Sequence, residues 1–156
     1  MINRKSLLLL SIVLSFPATA FDMITAMEAY ESGDYQTAHE QFTFLASSDV
    51  PEAQYNLAFM YYGGEGVNQN DRQALFWFEQ AAKLGHAPAQ DTLAYMYLNG
   101  RGVDADRVEA YAWYAVAAEN GVFLAKNISE SLIEQMGPAE RTHAELLSRE
   151  YLEQYK

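Results

Sequence analysis

The sequence contains part of itself twice. Sliding it by 36 residues lays Pro51–His86 over Ala87–Val122 with 14 identical positions, where chance would give about two. The identities run through both halves of the unit. They include Ala53/Ala89, Gln54/Gln90, Leu57/Leu93, Tyr61/Tyr97, Gly64/Gly100, Gly66/Gly102, Trp77/Trp113 and Gly85/Gly121. A repeat of this length is one supersecondary unit that cannot bury its apolar face alone, so the chain must stack copies side by side.

Inside each unit the apolar residues step by three or four. Ala53, Leu57, Met60 and Tyr61 form one stripe, and Ala74, Trp77, Phe78, Ala81 and Ala82 form another, so each unit reads as two amphipathic helices. Gly64-Glu65-Gly66-Val67 and Gly100-Arg101-Gly102-Val103 end the first helix and turn the chain, with the valine expected to plug the loop into the core. Asn70 and Asp106 are placed to cap the second helix, and Gln73 and Glu109 three residues on predict a capping box. Gly85 and Gly121 stop that helix. Alanines at 81, 82, 117 and 118 let helices approach while Trp77, Phe78, Trp113 and Tyr114 fill the space between them. Truncating either tryptophan is expected to cost ~3–5 kcal/mol where the ring is buried.

Upstream, Ala29-Tyr30, Gly33-Asp34-Tyr35, Ala38, Phe42, Leu45 and Ala46 give the same pattern with a turn shorter by about five residues, a degenerate repeat over residues 21–50. Downstream of the two full units, 51–86 and 87–122, residues 123–156 read as a helix pair and cap. Leu124, Ile128, Leu132 and Met136 make one stripe, Gly137-Pro138 breaks it, and Leu146, Leu147, Tyr151, Leu152 and Tyr155 follow among many charges, as befits a terminal helix with one wet face.

The unit, written from residues 53–85 and 89–121, is Ala-x3-Leu-Ala-x2-Tyr-x2-Gly-x-Gly-Val-x6-Ala-x2-Trp-aromatic-x2-Ala-Ala-x2-Gly. This resembles the Sel-one-like repeat, a subclass of tetratricopeptide-like solenoids, with alanine in place of the common glycine at 58 and 94. The shorter first unit looks more like an ordinary tetratricopeptide repeat. The resemblance implies an all-α fold, a right-handed α/α superhelical solenoid of antiparallel helix pairs with a C-terminal capping helix. It implies an exported bacterial adaptor for secretion, envelope, motility, polysaccharide or signalling assemblies, and no reaction. Cysteine-rich relatives have been linked to β-lactam chemistry, but this chain has no cysteine.

The first twenty residues differ from the rest. Arg4 and Lys5 precede an apolar run of about ten residues that ends in Ala18-Thr19-Ala20, the pattern of a secretory signal peptide spanning residues 1–20. The run is well short of the ~20 residues that cross a bilayer, although a retained anchor is the competing reading. Without a cysteine after the small-residue site, lipid modification there is not expected. The expected location is periplasmic or secreted, with no membrane span after cleavage. Loss of Arg4 and Lys5 would leave 8 basic side chains against 21 acidic ones, a formal charge of −13. Nucleic acid and anionic lipid are then poor partners. A neutral or basic protein suits the charge, and so does the plainer reading that acidity keeps an exported protein soluble. With no cysteine, no disulfide staples the fold, and packing alone must hold it.

In such a solenoid the first helix of each pair lines the concave surface. The positions between the core-facing ones are Tyr55, Phe59 and Tyr62, then Asp91, Tyr95 and Leu98, with Asn127 and Ser131 extending the row and Ile24, Glu28 and Glu31 beginning it. Tyrosine offers broad contact area at low rotamer entropy, which suits a protein-binding surface at ~µM affinity, about −8 kcal/mol. The alternative is that these rings pack on the adjacent helix.

Chemistry finds little purchase. Gly64-x-Gly66 and Gly100-x-Gly102 follow a helix and lack a Walker lysine, so turn geometry explains them better than a phosphate cradle. His39, His86 and His143 have no recurring metal-ligand spacing, and no metal or cofactor is expected. Glu28 and Glu31 on one helical face read as a solvated pair rather than an acid–base couple. No serine lies in a nucleophile elbow. The expectation is a non-enzymatic scaffold for a protein or peptide, the alternative a hydrolase or peptidoglycan-active enzyme on the same frame.

Overall fold

The structure is a computed structural model that describes residues 22–155; the expected signal peptide of residues 1–20 lies outside the described residues. Among these there are eight helices and no strand: α1 (Met23–Glu31), α2 (Tyr35–Ser47), α3 (Pro51–Gly63), α4 (Asp71–Lys83), α5 (Ala87–Asn99), α6 (Arg107–Glu119), α7 (Phe123–Glu134) and α8 (Pro138–Tyr155). From α1 to α7 each helix packs on the next in chain order, which is the all-α helix-pair solenoid that the 36-residue register predicts.

Equivalent positions fill equivalent places. Ala38, Ala74 and Ala110 are fully buried, as are Ala53, Ala89 and Ala125 and the pairs Leu57/Leu93 and Met60/Met96 to within 1%. Two buried clusters result, one around Phe42 and Leu57 and one around Phe78, Leu93 and Trp113, and Tyr61 and Trp77 pack against both. Trp113 is 2% exposed, whereas Trp77 is only half-buried, so the two tryptophans are not energetic equals. Val67 is half-buried against the first cluster, and Val103 is half-buried too.

Local chemistry sets the helix ends, with one departure from expectation. Asn70 Oδ1 accepts from the amides of Arg72 and Gln73, and Asp106 Oδ1 from those of Val108 and Glu109. The reciprocal half of the capping box is not made. The amides of Asn70 and Asp106 donate instead to the carbonyls of Tyr61 (2.8 Å) and Tyr97 (2.9 Å), tying each loop to the helix it leaves. That frees the Glu109 carboxylate to accept from the Tyr151 hydroxyl at 3.0 Å. In the first unit the turn is residues 32–34 against residues 64–70 in the second, a difference of four rather than five, which pairs Ala26 with Ala58 and Tyr30 with Tyr62.

The loops also fix how units stack. A Cβ on Gly102 would lie 2.4 Å from the Asp71 carbonyl oxygen, and one on Gly66 would lie 2.5 Å from Tyr35 Cβ. Tyr35 and Asp71 are the equivalent first residues of α2 and α4, so each loop rests backbone-on-helix against the preceding unit, and only glycine fits that approach. At the joints between units Gly85 (φ 81°) and Gly121 (φ 95°) share a register with Asp49 (φ 57°), which occupies the left-handed region without glycine's freedom.

Glutamines join the units from inside. Gln54 Nε2 donates to the Ala46 carbonyl at 3.1 Å and Gln90 Nε2 to the Ala82 carbonyl at 3.0 Å, each adding a second donor to an end-of-helix carbonyl that already accepts from the turn amide of Asp49 or Gly85. The next positions in this register break the ladder. Where α5 buries Gln90 and Ala94 completely, α7 carries Lys126 and Glu130, with side chains 66% and 61% exposed. Charges on that face end the array. α8 then turns back and lies along α6, touching α4. Its Tyr151 and Tyr155 rings sit 4.8 and 5.3 Å from Trp113, and the Tyr155 carbonyl accepts from Gln90 Nε2 at 3.0 Å.

Candidate functional site

The first helices of the units, α1, α3, α5 and α7, bring the expected row together in part. Tyr55, Phe59 and Tyr62 lie along α3 at spacings of four and three residues, and their rings form a chain: Tyr55 to Phe59 at 4.8 Å and Phe59 to Tyr62 at 6.3 Å. Tyr55 and Phe59 also meet the buried Phe78 of α4 edge-on, at 5.8 and 5.0 Å. Each of the three is half-buried. Packing on the adjacent helix and presentation to solvent thus hold at once, because one edge of each ring is seated and the other stays open.

On α5, Tyr95 is 45% exposed, Leu98 is half-buried against the core, and Asp91 lies one helical turn before Tyr95 on the same face. Asn127 and Ser131 are exposed on α7. On α1, Ile24 is 72% exposed and borders a hollow shared with Met23, Met27, Glu28, Glu31 and Glu52.

Asp91 has an unusual setting. Its Oδ1 is buried and has no hydrogen-bond partner, and burial holds its carboxyl above the usual carboxylate range. Around it stand tyrosines. Burial first, and then the Asp91 charge, pushes the Tyr114 hydroxyl up to about 12. Tyr55 is raised by burial and then by the Glu52 carboxylate, with Asp91 adding to it. Successive units fill one slot differently. Tyr55 faces Phe78 in one, and Asp91 faces Tyr114, Phe78's counterpart, in the next.

Three residues of this surface were not among the expected binding residues. Arg101, between the two loop glycines, donates from Nε and Nη2 to both carboxylate oxygens of Asp71 at 2.8 and 2.9 Å. Its guanidinium lies 4.5 Å over the Tyr62 ring, and Nη1 donates to the Tyr62 hydroxyl at 3.2 Å. In the unit before, Glu65 holds the same loop position and accepts from the Tyr30 hydroxyl, Tyr62's counterpart. A change from Glu to Arg at one register position was the available signal. His86 is the third. Its Nδ1 accepts from the Ala89 amide, so Nε2 carries the proton and donates to Glu52 Oε2 at 2.8 Å, while the ring sits 4.6 Å from Tyr55.

The groups weighed for catalysis are dispersed. The approach that Gly66 and Gly102 permit is occupied by Tyr35 and Asp71 of the chain itself. His39 lies 3.3 Å from the Tyr61 hydroxyl and its ring is kept below the usual range by burial. Glu28 and Glu31 stand exposed together on one face of α1, and His143 is exposed on α8. Among the described residues no three of His, Cys, Asp or Glu gather where they could hold a metal ion, and no helix is long and apolar enough to cross a membrane.

Helix pairs in register, glycine loops resting on the preceding unit and a ring-lined face define a tetratricopeptide-like repeat solenoid. The model of the Sel1 repeat matches residues 51–86 and 87–122, so the chain contains two Sel1 repeats. It is similar over 83% of its length, with 28% identity and a TM-score of 0.77, to a protective antigen present in uropathogenic Escherichia coli strains, which displays an SLR fold. A Sel1 repeat protein from Oxalobacter formigenes aligns over 83% of this chain and 70% of its own, with 22% identity and a TM-score of 0.62. In sequence, 57 residues are 44% identical to an exopolysaccharide production negative regulator of Rhizobium leguminosarum bv. viciae. The chain spans 29% of the E. coli antigen and 21% of that regulator.

Proposed function

We propose that this chain is an exported, non-enzymatic adaptor that captures a protein or peptide segment on the face formed by α3 and α5. The observation that carries the reading is the half-seated ring chain of Tyr55, Phe59 and Tyr62 continuing to the exposed Tyr95. Rings held on one edge lose little entropy when a partner covers the other. Sel1 repeats generally mediate protein–protein interaction, and the basic, apolar and small-residue segments of residues 1–20 support a periplasmic or secreted location. The likeness to a regulator of exopolysaccharide production favours a role in an envelope assembly.

A photo-cross-linking residue at position 95, used in intact cells, tests this reading. One stoichiometric protein in the cross-linked product supports it. Glycan strands in that product would overturn it and favour a peptidoglycan-active enzyme. Replacing Phe59 and Tyr95 together by alanine is expected to weaken capture by about tenfold or more while the fold persists.

A further inference from the structure

The groove contains one fully assembled example of a cation held between a ring and a carboxylate. Arg101 lies over Tyr62 and is clamped by Asp71. On the next first helix, α5, stands another set of carboxylate and rings without a cation. Asp91 and Tyr95 share a face of α5, Tyr55 comes from α3, and Tyr114 rises from α6 beneath them. Among the described residues no basic side chain is ion-paired with Asp91.

We infer that Asp91 receives a lysine or arginine side chain of the bound segment, seated among Tyr55, Tyr95 and Tyr114. The inference rests on the groove reading and names the chemistry of its occupant, an extended basic segment of a protein. A buried carboxylate oxygen with no donor is costly. An incoming ammonium or guanidinium meets the half-buried carboxylate from its open side as a charge-assisted bond and offsets the cost of the shielded oxygen, and the ring faces around it add cation–π attraction. Among the described residues the other buried acceptors without partners, Gln41 Oε1 and Gln54 Oε1, are neutral amide oxygens, so the charged one selects the ligand.

Charge over the whole molecule points the same way. The chain carries 21 acidic against 10 basic side chains. Lys83, Arg101, Arg107 and Lys126 are each paired with an acid on the chain itself. Beyond the ring chain, the hollow of Met23, Met27, Glu28, Glu31 and Glu52 continues the acidic, apolar character toward α1. A segment with alternating basic and apolar residues would meet carboxylates at both places.

The test uses the full chain and a fluorescein-labelled dodecapeptide of alternating lysine and alanine, with a glutamine–alanine peptide as its neutral counterpart. Anisotropy measures affinity and amide shifts locate the site. The lysine peptide is expected to bind, to shift Asp91, Thr92 and Tyr95, and to lose about tenfold or more in affinity with Asp91→Asn. That variant is isosteric and removes a buried charge, so it should fold. Glu150→Gln, which removes the same charge from the exposed face of α8, should leave binding unchanged. Equal affinity for Asp91→Asn and the parent chain, or shifts confined to Glu28, Glu31 and Glu52, overturns the inference. The adaptor reading is judged separately on the partner captured through position 95. Retention of that partner on the immobilised chain that falls with Phe59→Ala and Tyr95→Ala but not with Asp91→Asn sinks the cation site and keeps the adaptor. Capture indifferent to all three sinks both.

Discussion

The units 51–86 and 87–122 share a frame and differ in how completely it is finished. Trp113 is sealed by Tyr151 and Tyr155, while its counterpart Trp77 is half-buried with the exposed Phe76 ring 4.9 Å away. Gln90 donates to Ala82 and Tyr155 and accepts from Asn120 at 2.8 Å, while Gln54 donates to Ala46 and leaves its buried Oε1 without a partner. The source of the difference is α8. It folds back on α6 and completes the later unit from outside the register. Shared residues therefore set the scaffold, and what lies against them sets their worth.

The largest expected consequence is at the tryptophans. Trp113→Ala should cost ~3–5 kcal/mol, since it empties a site enclosed by two rings, and Trp77→Ala about half of that. Urea denaturation of the two variants measures the gap. Equal costs would mean that α8 adds nothing to the third unit. Next come the loop glycines. Gly102→Ala combines a left-handed φ with a contact to backbone that cannot move aside, and about 3 kcal/mol or more is expected. Gly121→Ala meets nothing within 4 Å and should cost only the conformational ~1–2 kcal/mol. Thermal midpoints of the pair separate close approach from φ strain.

Much of this was legible in the sequence because it is local or repeated. Helix pairs, loop glycines and the side-chain caps Asn70 and Asp106 follow from spacing and from which side chains can reach a free amide. The capping box failed for a reason outside its four residues, since the loop amide was already spent on Tyr61 or Tyr97. The return of α8 was illegible because its partners lie about forty residues away in sequence, and an amphipathic stripe states that a face is covered without saying by what. The identity Gln54/Gln90 was plain, but its meaning needed the Ala46 and Ala82 carbonyls. In the candidate site, the ring row on α3 was readable from spacing, while the state of Asp91 depends on Tyr114 and Tyr55 arriving from two other helices.

The glutamine ladder gives a smaller, sharper contrast. Gln90→Leu keeps the volume but strands the Tyr155 carbonyl and the Asn120 amide, while the Ala82 carbonyl keeps the Gly85 amide, for about 2–3 kcal/mol. Gln54→Leu takes one of two donors from the Ala46 carbonyl, which keeps the Asp49 amide, and removes an acceptor that was already unpartnered, for about 1 kcal/mol or less. Chemical denaturation of both tests whether satisfaction, rather than burial, decides the cost. The same loss from both would remove the distinction between the units at their inner seam.

The smallest effect separates binding from stability. Burial raises the Asp91 carboxyl above its ordinary value, so the native state holds that proton more tightly than the unfolded chain does. Ionisation of Asp91 then opposes folding, with a penalty that is complete above the raised native value and absent below the ordinary one. Asp91→Asn should therefore stabilise the chain at neutral pH by about 1 kcal/mol, a figure kept small because the residue is only half-buried and solvent screens it. The gain should shrink as the pH falls through the native value of Asp91 and vanish below the unfolded one. Paired denaturation curves across that range isolate this one group, because every other carboxylate is common to both proteins. A gain that stays constant with pH would show that the carboxylate carries no electrostatic penalty, and the groove would then have no stored demand for a cation. A gain that follows pH, together with weaker binding of a lysine peptide, would mark Asp91 as a residue kept for its ligand at the expense of the fold.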